Sequence, residues 1–172
     1  SISRWQKCPA HAGIMYCSHL RKETTQTQTP SQILEEYVEN EDTIVKKYKT
    51  GDYVVCNLSS INLGRAVPDE VLERLIPIQV RMLDNVIDVN TLPIKQAQLT
   101  NQKYRAIGLG TFGWHHLLAL KGIGWETEEA LEFTDTLYEK IAYLTIKASM
   151  ELSKEKGNYP MFPGSKWATG EY

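Results

Sequence analysis

The longest uninterrupted pattern in the chain places the tightest limit on its fold. Thr127 followed by Glu128 and Glu129 is a helix start, with a hydroxyl to accept from a free first-turn amide and two carboxylates near the positive end of the helix dipole. From there Leu131, Thr134, Leu137, Ile141, Leu144, Thr145, Ala148 and Leu152 fall on one face, and Gly157 is predicted to stop the helix as a left-handed C-cap. A long helix with a single apolar face must bury that face against other elements. A second helix is predicted over residues 69–89, opened by Pro68 with Asp69 and Glu70 in its first turn, with Val71, Leu72, Leu75, Ile76, Met82, Leu83 and Val86 recurring every three or four positions. Pro77 inside it is expected to kink it, because it lacks an amide donor and crowds the preceding turn. Trp114 to Leu120 reads as a third helix, ended by Gly122 and Gly124.

Strand signals are few and short. Tyr53 to Cys56, after the Gly51-Asp52 turn, is the best of them. Ile33 to Val38 is a short apolar patch, and Glu39 to Lys49 reads as a charged, solvated excursion. Residues 1–32 are polar and cannot nucleate a core. With 172 residues the chain suffices for one domain with a real core. A net charge of −2 gives no electrostatic case for nucleic acid or an anionic membrane. No apolar run reaches the roughly 18–20 residues needed to span a bilayer. Three cysteines, an odd number, argue against a secreted disulfide framework and for a reducing, cytoplasmic setting. A start at Ser1 and a stop after Gly170-Glu171-Tyr172 read as part of a larger polypeptide.

Cys56, followed by Asn57-Leu58-Ser59-Ser60-Ile61-Asn62-Leu63-Gly64, is the most suggestive chemical feature. It has two readings: a small buried side chain at a strand end, or a thiol presented to a site where amides and hydroxyls gather. Gly108-Leu109-Gly110-Thr111-Phe112-Gly113 has the spacing of a phosphate-cradling loop, but it lacks a clean preceding strand, and close packing around a sharp turn is the favoured reading. Cys8, His11, Cys17 and His19 offer four zinc-type ligands at a spacing that matches no common knuckle. His115 and His116, adjacent on a helix, point apart and suit packing or capping better than a metal.

Taken in order, Glu23 with Gln26-Thr27-Gln28-Thr29-Pro30-Ser31, then Cys56 to Leu63, Tyr104 to Gly110, Ala148-Ser149, Glu155-Lys156-Gly157 and Gly164 to Glu171 resemble the large (alpha) subunit of class I ribonucleotide reductase. The resemblance runs from about Glu23 to Tyr172, a minority of a full-length large subunit. It implies an α/β fold, a helix-rich fragment of that enzyme's catalytic α/β barrel, with residues 23–172 in the barrel domain and residues 1–22 a poorly matching segment. It further implies reduction of ribonucleoside diphosphates through a thiyl radical, raised with help from a beta subunit that holds a metal-centred oxidant. The implied partners are that beta subunit, the rest of the alpha subunit and a thioredoxin- or glutaredoxin-like reductant. ATP and dNTP effectors would bind the full-length subunit, and no cofactor is implied in this stretch.

Residue by residue, the resemblance makes Cys56 the second member of a cysteine pair that supplies two electrons and ends as a disulfide. Glu23 falls on the glutamate of the radical-cysteine motif, where a carboxylate tuned by burial moves protons of the ribose hydroxyls. The same register puts Arg21 where the radical cysteine belongs and His19 where its asparagine belongs. A guanidinium forms no thiyl radical, so Arg21 at that position makes a chain inactive. Three accounts stay open: Cys17, in Met15-Tyr16-Cys17-Ser18-His19-Leu20, serves as the radical cysteine; residues 1–22 are junction sequence; or the protein is an inactive homologue.

Overall fold

The computed structural model describes residues 31–55 and 57–170. Gln32–Asn40 (β1) and Thr43–Lys49 (β2) pair antiparallel, joined by the two-residue turn Glu41-Asp42 in which the Asn40 Oδ1 accepts from the Asp42 amide. The predicted patch and the predicted excursion are thus two arms of one hairpin. Its strands stand almost wholly in solvent, with Ile33, Val38 and Ile44 each more than half exposed.

Leu58–Asn62 (β3) follows and runs into the one-turn helix Leu63–Ala66 (α1). The prediction of a strand at Tyr53 to Cys56 is corrected here: residues 53–55 join no sheet, and the polar stretch Leu58–Asn62 is the strand. What makes it one is a partner remote in sequence. β3 pairs in parallel with Gly108–Phe112 (β4), Leu58 opposite Gly108 and Asn62 opposite Phe112. Ile61 and Leu109 from this sheet are fully buried. Among the described residues, β3 and β4 pair only with each other.

Helix α2 spans Leu72–Val89, starting three residues later than the sequence suggested. Glu70 takes a left-handed conformation (φ 53), its amide bonding the Val67 carbonyl while the Val71 amide reaches back to Ala66. These two bonds close α1 as a Schellman turn, so Pro68, Asp69 and Glu70 belong to the connection rather than the helix. α2 continues through Pro77, which lies on its exposed side. Its buried face is Leu72, Ile76, Val80, Leu83 and Ile87; Met82 and Val86, expected on that face, instead stand with Ile78 and Val89 on an exposed apolar stripe.

Helix α3, Lys95–Tyr104, went unpredicted because it buries Ala97, Thr100 and Asn101 rather than large apolar side chains. Helix α4 is Trp114–Lys121, closed by Gly122 in a left-handed conformation. Helix α5 is Glu128–Lys156, capped by the Thr127 side chain accepting from the Ala130 amide, as expected. Leu131 is exposed, and Ala130, Leu137, Ile141, Thr145, Ala148 and Leu152 form the buried face. Gly157 ends the helix at φ 85, ψ 169, a glycine conformation but not the left-handed helical one predicted. A 3₁₀ turn at Phe162–Gly164 and a short helix α6, Lys166–Thr169, complete the described chain. One apolar core joins β3, β4, α1, α2, α4 and α5, and α2 packs along α5. Burial of residues such as Ile76, Leu83 and Ile141 contributes about 1.5–3 kcal/mol each.

The glycines of the β4–α4 turn serve close packing. Gly113 caps α4 at φ 74, and a Cβ there would sit 3.0 Å from the Asn62 Oδ1. A Cβ on Gly64 would meet the His116 ring at 2.4 Å, so α1 and α4 approach as closely as they do only because position 64 has no side chain. His115 packs edge-on to Trp125. Both histidines are therefore packing residues, as their adjacency suggested.

Candidate functional site

Of the predicted site residues, Cys56, Glu23 and Cys17 all lie outside the described residues, as do Arg21 and the Cys8, His11, Cys17 and His19 set. Among the described residues no three or more His, Cys, Asp or Glu side chains gather as a metal site. The structure does show the frame on either side of Cys56, and that frame is held at both ends.

On the N-terminal side the hold comes from α3. Asp52 accepts from the Tyr104 hydroxyl at 2.8 Å and from the Lys103 Nζ at 3.2 Å. The Tyr53 amide donates to the Thr100 Oγ1 at 2.9 Å, and that hydroxyl donates in turn to the Gln96 carbonyl. Burial and then the Asp52 carboxylate raise the Tyr104 pKa, so the phenol stays protonated and remains a donor. One turn of polar side chains on α3 thereby fixes the backbone of residues 52 and 53.

On the C-terminal side Asn57 is held twice. Its carbonyl accepts from the Gly108 amide at 2.8 Å, which extends the β3–β4 ladder by one bond, and its Nδ2 donates to the Leu83 carbonyl inside α2 at 2.6 Å. Gln79, one turn earlier on α2, donates to the Ser59 Oγ at 3.0 Å. Apolar burial does little of this holding, since Tyr53, Val54 and Leu58 are each about half exposed.

Arg105 locks α3, α2 and α5 together behind the frame. It caps α3 in a left-handed conformation (φ 48, ψ 48). Its guanidinium donates to the Asp84 carboxylate through Nε and Nη2 (2.9 and 2.7 Å) and to Asp88 through Nη1 and Nη2 (2.6 and 3.0 Å). Lys156, from the last turn of α5, donates to the other Asp84 oxygen at 2.7 Å. Hydrogen bonding from Arg105 holds the Asp88 carboxyl below its ordinary range. Two residues after Arg105, Ile107 enters the core, and Gly108 then makes the bond to Asn57. The same groups line a cleft of about 800 Å³ that also includes Tyr159, Phe162 and Trp167.

Asn57, Asp52, Thr100 and Tyr104 escaped the sequence reading as a set. The signal available was the amide directly after the thiol; its partner, a main-chain carbonyl of a helix 26 residues away, leaves no mark in sequence.

The family profile described as "Ribonucleotide reductase, barrel domain" matches residues 1–172. A Treponema pallidum protein named ribonucleoside-diphosphate reductase subunit alpha is 43% identical over 167 residues, covering 94% of this chain and 20% of that protein. Proteins of the same name from Helicobacter pylori (46% over 125 residues; 73% of this chain, 16% of the relative) and Chlamydia trachomatis (41% over 165 residues; 93% and 14%) are similar as well. The chain spans a fifth or less of the length of these relatives. With the whole chain matched, the protein belongs to the ribonucleotide reductase barrel-domain family and corresponds to part of an alpha subunit.

Proposed function

We propose that this stretch supplies the reductant side of a ribonucleoside-diphosphate reductase, with Cys56 as one of two thiols that are oxidised as substrate is reduced. In balance, a ribonucleoside diphosphate and two thiols give a deoxyribonucleoside diphosphate, water and one disulfide. The second thiol comes from the rest of the alpha subunit. The reaction is initiated by a thiyl radical raised with the metal centre of a beta subunit, and a thioredoxin- or glutaredoxin-like protein returns the disulfide to thiols. Glu23 takes the proton-moving role beside the ribose in this reading. Cys17 is the candidate radical cysteine if Arg21 is not at that position, and ATP and dNTPs act on the complete subunit in the cytoplasm.

The observation that carries the proposal is the two-ended hold on the frame around Cys56, through Asp52 and Tyr53 on one side and Asn57 on the other. Two sulfurs bond only when their Cα atoms come within about 7 Å in the right orientation, so a thiol that cycles needs a fixed backbone. The test is a chimera in which residues 31–170 replace the matching stretch of the treponemal relative, which keeps its own preceding sequence. With beta subunit, CDP and thioredoxin it is expected to turn over, and Cys56→Ser is expected to abolish multiple turnover. Unchanged turnover by the Cys56→Ser chimera would overturn the assignment.

A further inference from the structure

We propose that the open flank of α2 is a helix-packing seam, filled by a helix from the remainder of the alpha subunit whose attached strand adds to the free edge of β3. The inference rests on membership of the family and not on the assignment of Cys56.

α2 is built asymmetrically. One flank lies along α5 and carries the ion pairs Glu73 with Lys140, Arg81 with Glu155, and Asp84 with Lys156. The other flank carries Ile78, Met82, Val86 and Val89, which follow one another at three- and four-residue steps and so form one continuous row on the helix surface. All four are exposed, and no charged side chain interrupts the row. A helix face left to water is ordinarily polar. In α2 the charges sit against a packed neighbour and the apolar row stands open.

The sheet is open on the same side. The Asn57 carbonyl accepts from the Gly108 amide, so in this parallel pair residues 57, 59 and 61 turn their main-chain groups to β4. Those of Leu58, Ser60 and Asn62 face the other way, where no strand among the described residues pairs with them. Gln79, beside the apolar row on α2, reaches this outer edge: its Nε2 lies 3.0 Å from the Ser59 Oγ and 3.5 Å from the Ser60 carbonyl. The free edge of β3 and the free flank of α2 are therefore contiguous.

One kind of occupant meets both needs. A strand about 4.8 Å beyond β3 would take its outward amides and carbonyls, and the helix attached to that strand would lie 8–10 Å from the α2 axis, against the apolar row. Parallel sheets are covered by such strand–helix units across their whole width. The source of the unit is the same polypeptide, since the chain covers only 20% of its treponemal relative and leaves ample length to supply it.

The experiment uses the chimera described above with beta subunit present. An equal mixture of unlabelled and heavy-nitrogen-labelled chimera is prepared with the diazirine analogue of methionine, irradiated, and the cross-links from the Met82 peptide mapped by mass spectrometry. Met82 is expected to join one segment of the treponemal part of its own molecule, in which apolar residues recur every three or four positions. In chimera with ordinary methionine, peroxide should oxidise Met82 at least about ten-fold more slowly than in the urea-unfolded chain. A Met82 left 47% exposed, as it stands here, would oxidise within about three-fold of the unfolded rate. The proposal stands only if both results are obtained. Cross-links joining heavy to light chains would make the occupant a second copy, and cross-links to the beta subunit would make it that partner; either overturns the proposal, as does oxidation near the unfolded rate or the absence of a Met82 cross-link. None of these outcomes bears on the Cys56→Ser test.

Discussion

Replacing Arg105 tests how firmly the frame around Cys56 is tied to the helices behind it. Arg105 is 22% exposed, and its main partner Asp84 only 15%. Breaking a fully buried ion pair from one side costs about 3–5 kcal/mol. Asp84 keeps Lys156 as a second cation at 2.7 Å, so the loss here is closer to that of a charged hydrogen bond, about 1.5–3 kcal/mol. Asp88 is half exposed and adds at most about 1 kcal/mol. Arg105→Ala should therefore cost about 2.5 kcal/mol. Arg105→Gly loses the same bonds but relieves the left-handed backbone, worth about 1 kcal/mol for a residue with a Cβ, and should cost about 1.5 kcal/mol. The assay is hydrogen exchange in the peptide covering residues 105–112 of the chimera, which contains the Gly108 amide bonded to Asn57. At 1.4 kcal/mol per decade, exchange should quicken about 60-fold in Arg105→Ala and about 12-fold in Arg105→Gly. Equal acceleration by the two variants would show that the left-handed cap carries no strain. Acceleration below about three-fold in Arg105→Ala would refute the coupling between the ion-pair cluster and the strand.

Three further outcomes follow from particular contacts. Asp88 has a folded pKa held down by Arg105, so its contribution is present above the ordinary carboxylate pKa and is lost as the pH falls from about 4 toward its folded value; the urea midpoint should drop over that interval, and Arg105→Ala should flatten the drop. Gly64→Ala forces a methyl against the His116 ring and should destabilise by about 1–3 kcal/mol, with His116→Ala in the same chain recovering most of the loss in a thermal-melt cycle. A chimera carrying all of residues 1–172 should be inactive toward CDP with beta subunit because of Arg21, and Arg21→Cys should restore turnover; turnover without that change would place the radical cysteine elsewhere, with Cys17 the candidate.

What the sequence made legible was whatever depended on nearby residues. Thr127 and Gly122 marked real helix ends, and the spacing from Leu137 to Leu152 marked a real buried face. The ordered blocks from Glu23 onward pointed to the family that the profile match establishes. The failures came where distant partners decide. Leu58–Asn62 looks too polar for a strand and becomes one through β4, about fifty residues on, with Gln79 satisfying Ser59. Gly108–Phe112 reads as a turn until that pairing is known. The α3 helix buries Thr100 and Asn101, so apolar periodicity had nothing to register. Glu70 broke the expected helix by adopting a positive φ that its residue type does not announce. For the site, sequence could name the thiol, but the hold on its neighbours runs through a Leu83 carbonyl and a Thr100 hydroxyl, neither distinguishable from its like elsewhere in the chain.

The central claim, that Cys56 donates reducing equivalents to substrate, is met most directly by a single-turnover reaction of the chimera with beta subunit and CDP, no external reductant present, followed by alkylation and disulfide mapping. The account predicts that dCDP appears with matching loss of two thiols, and that one of them is Cys56, recovered in a disulfide with a cysteine of the host sequence. Formation of dCDP with Cys56 still fully alkylated would contradict it.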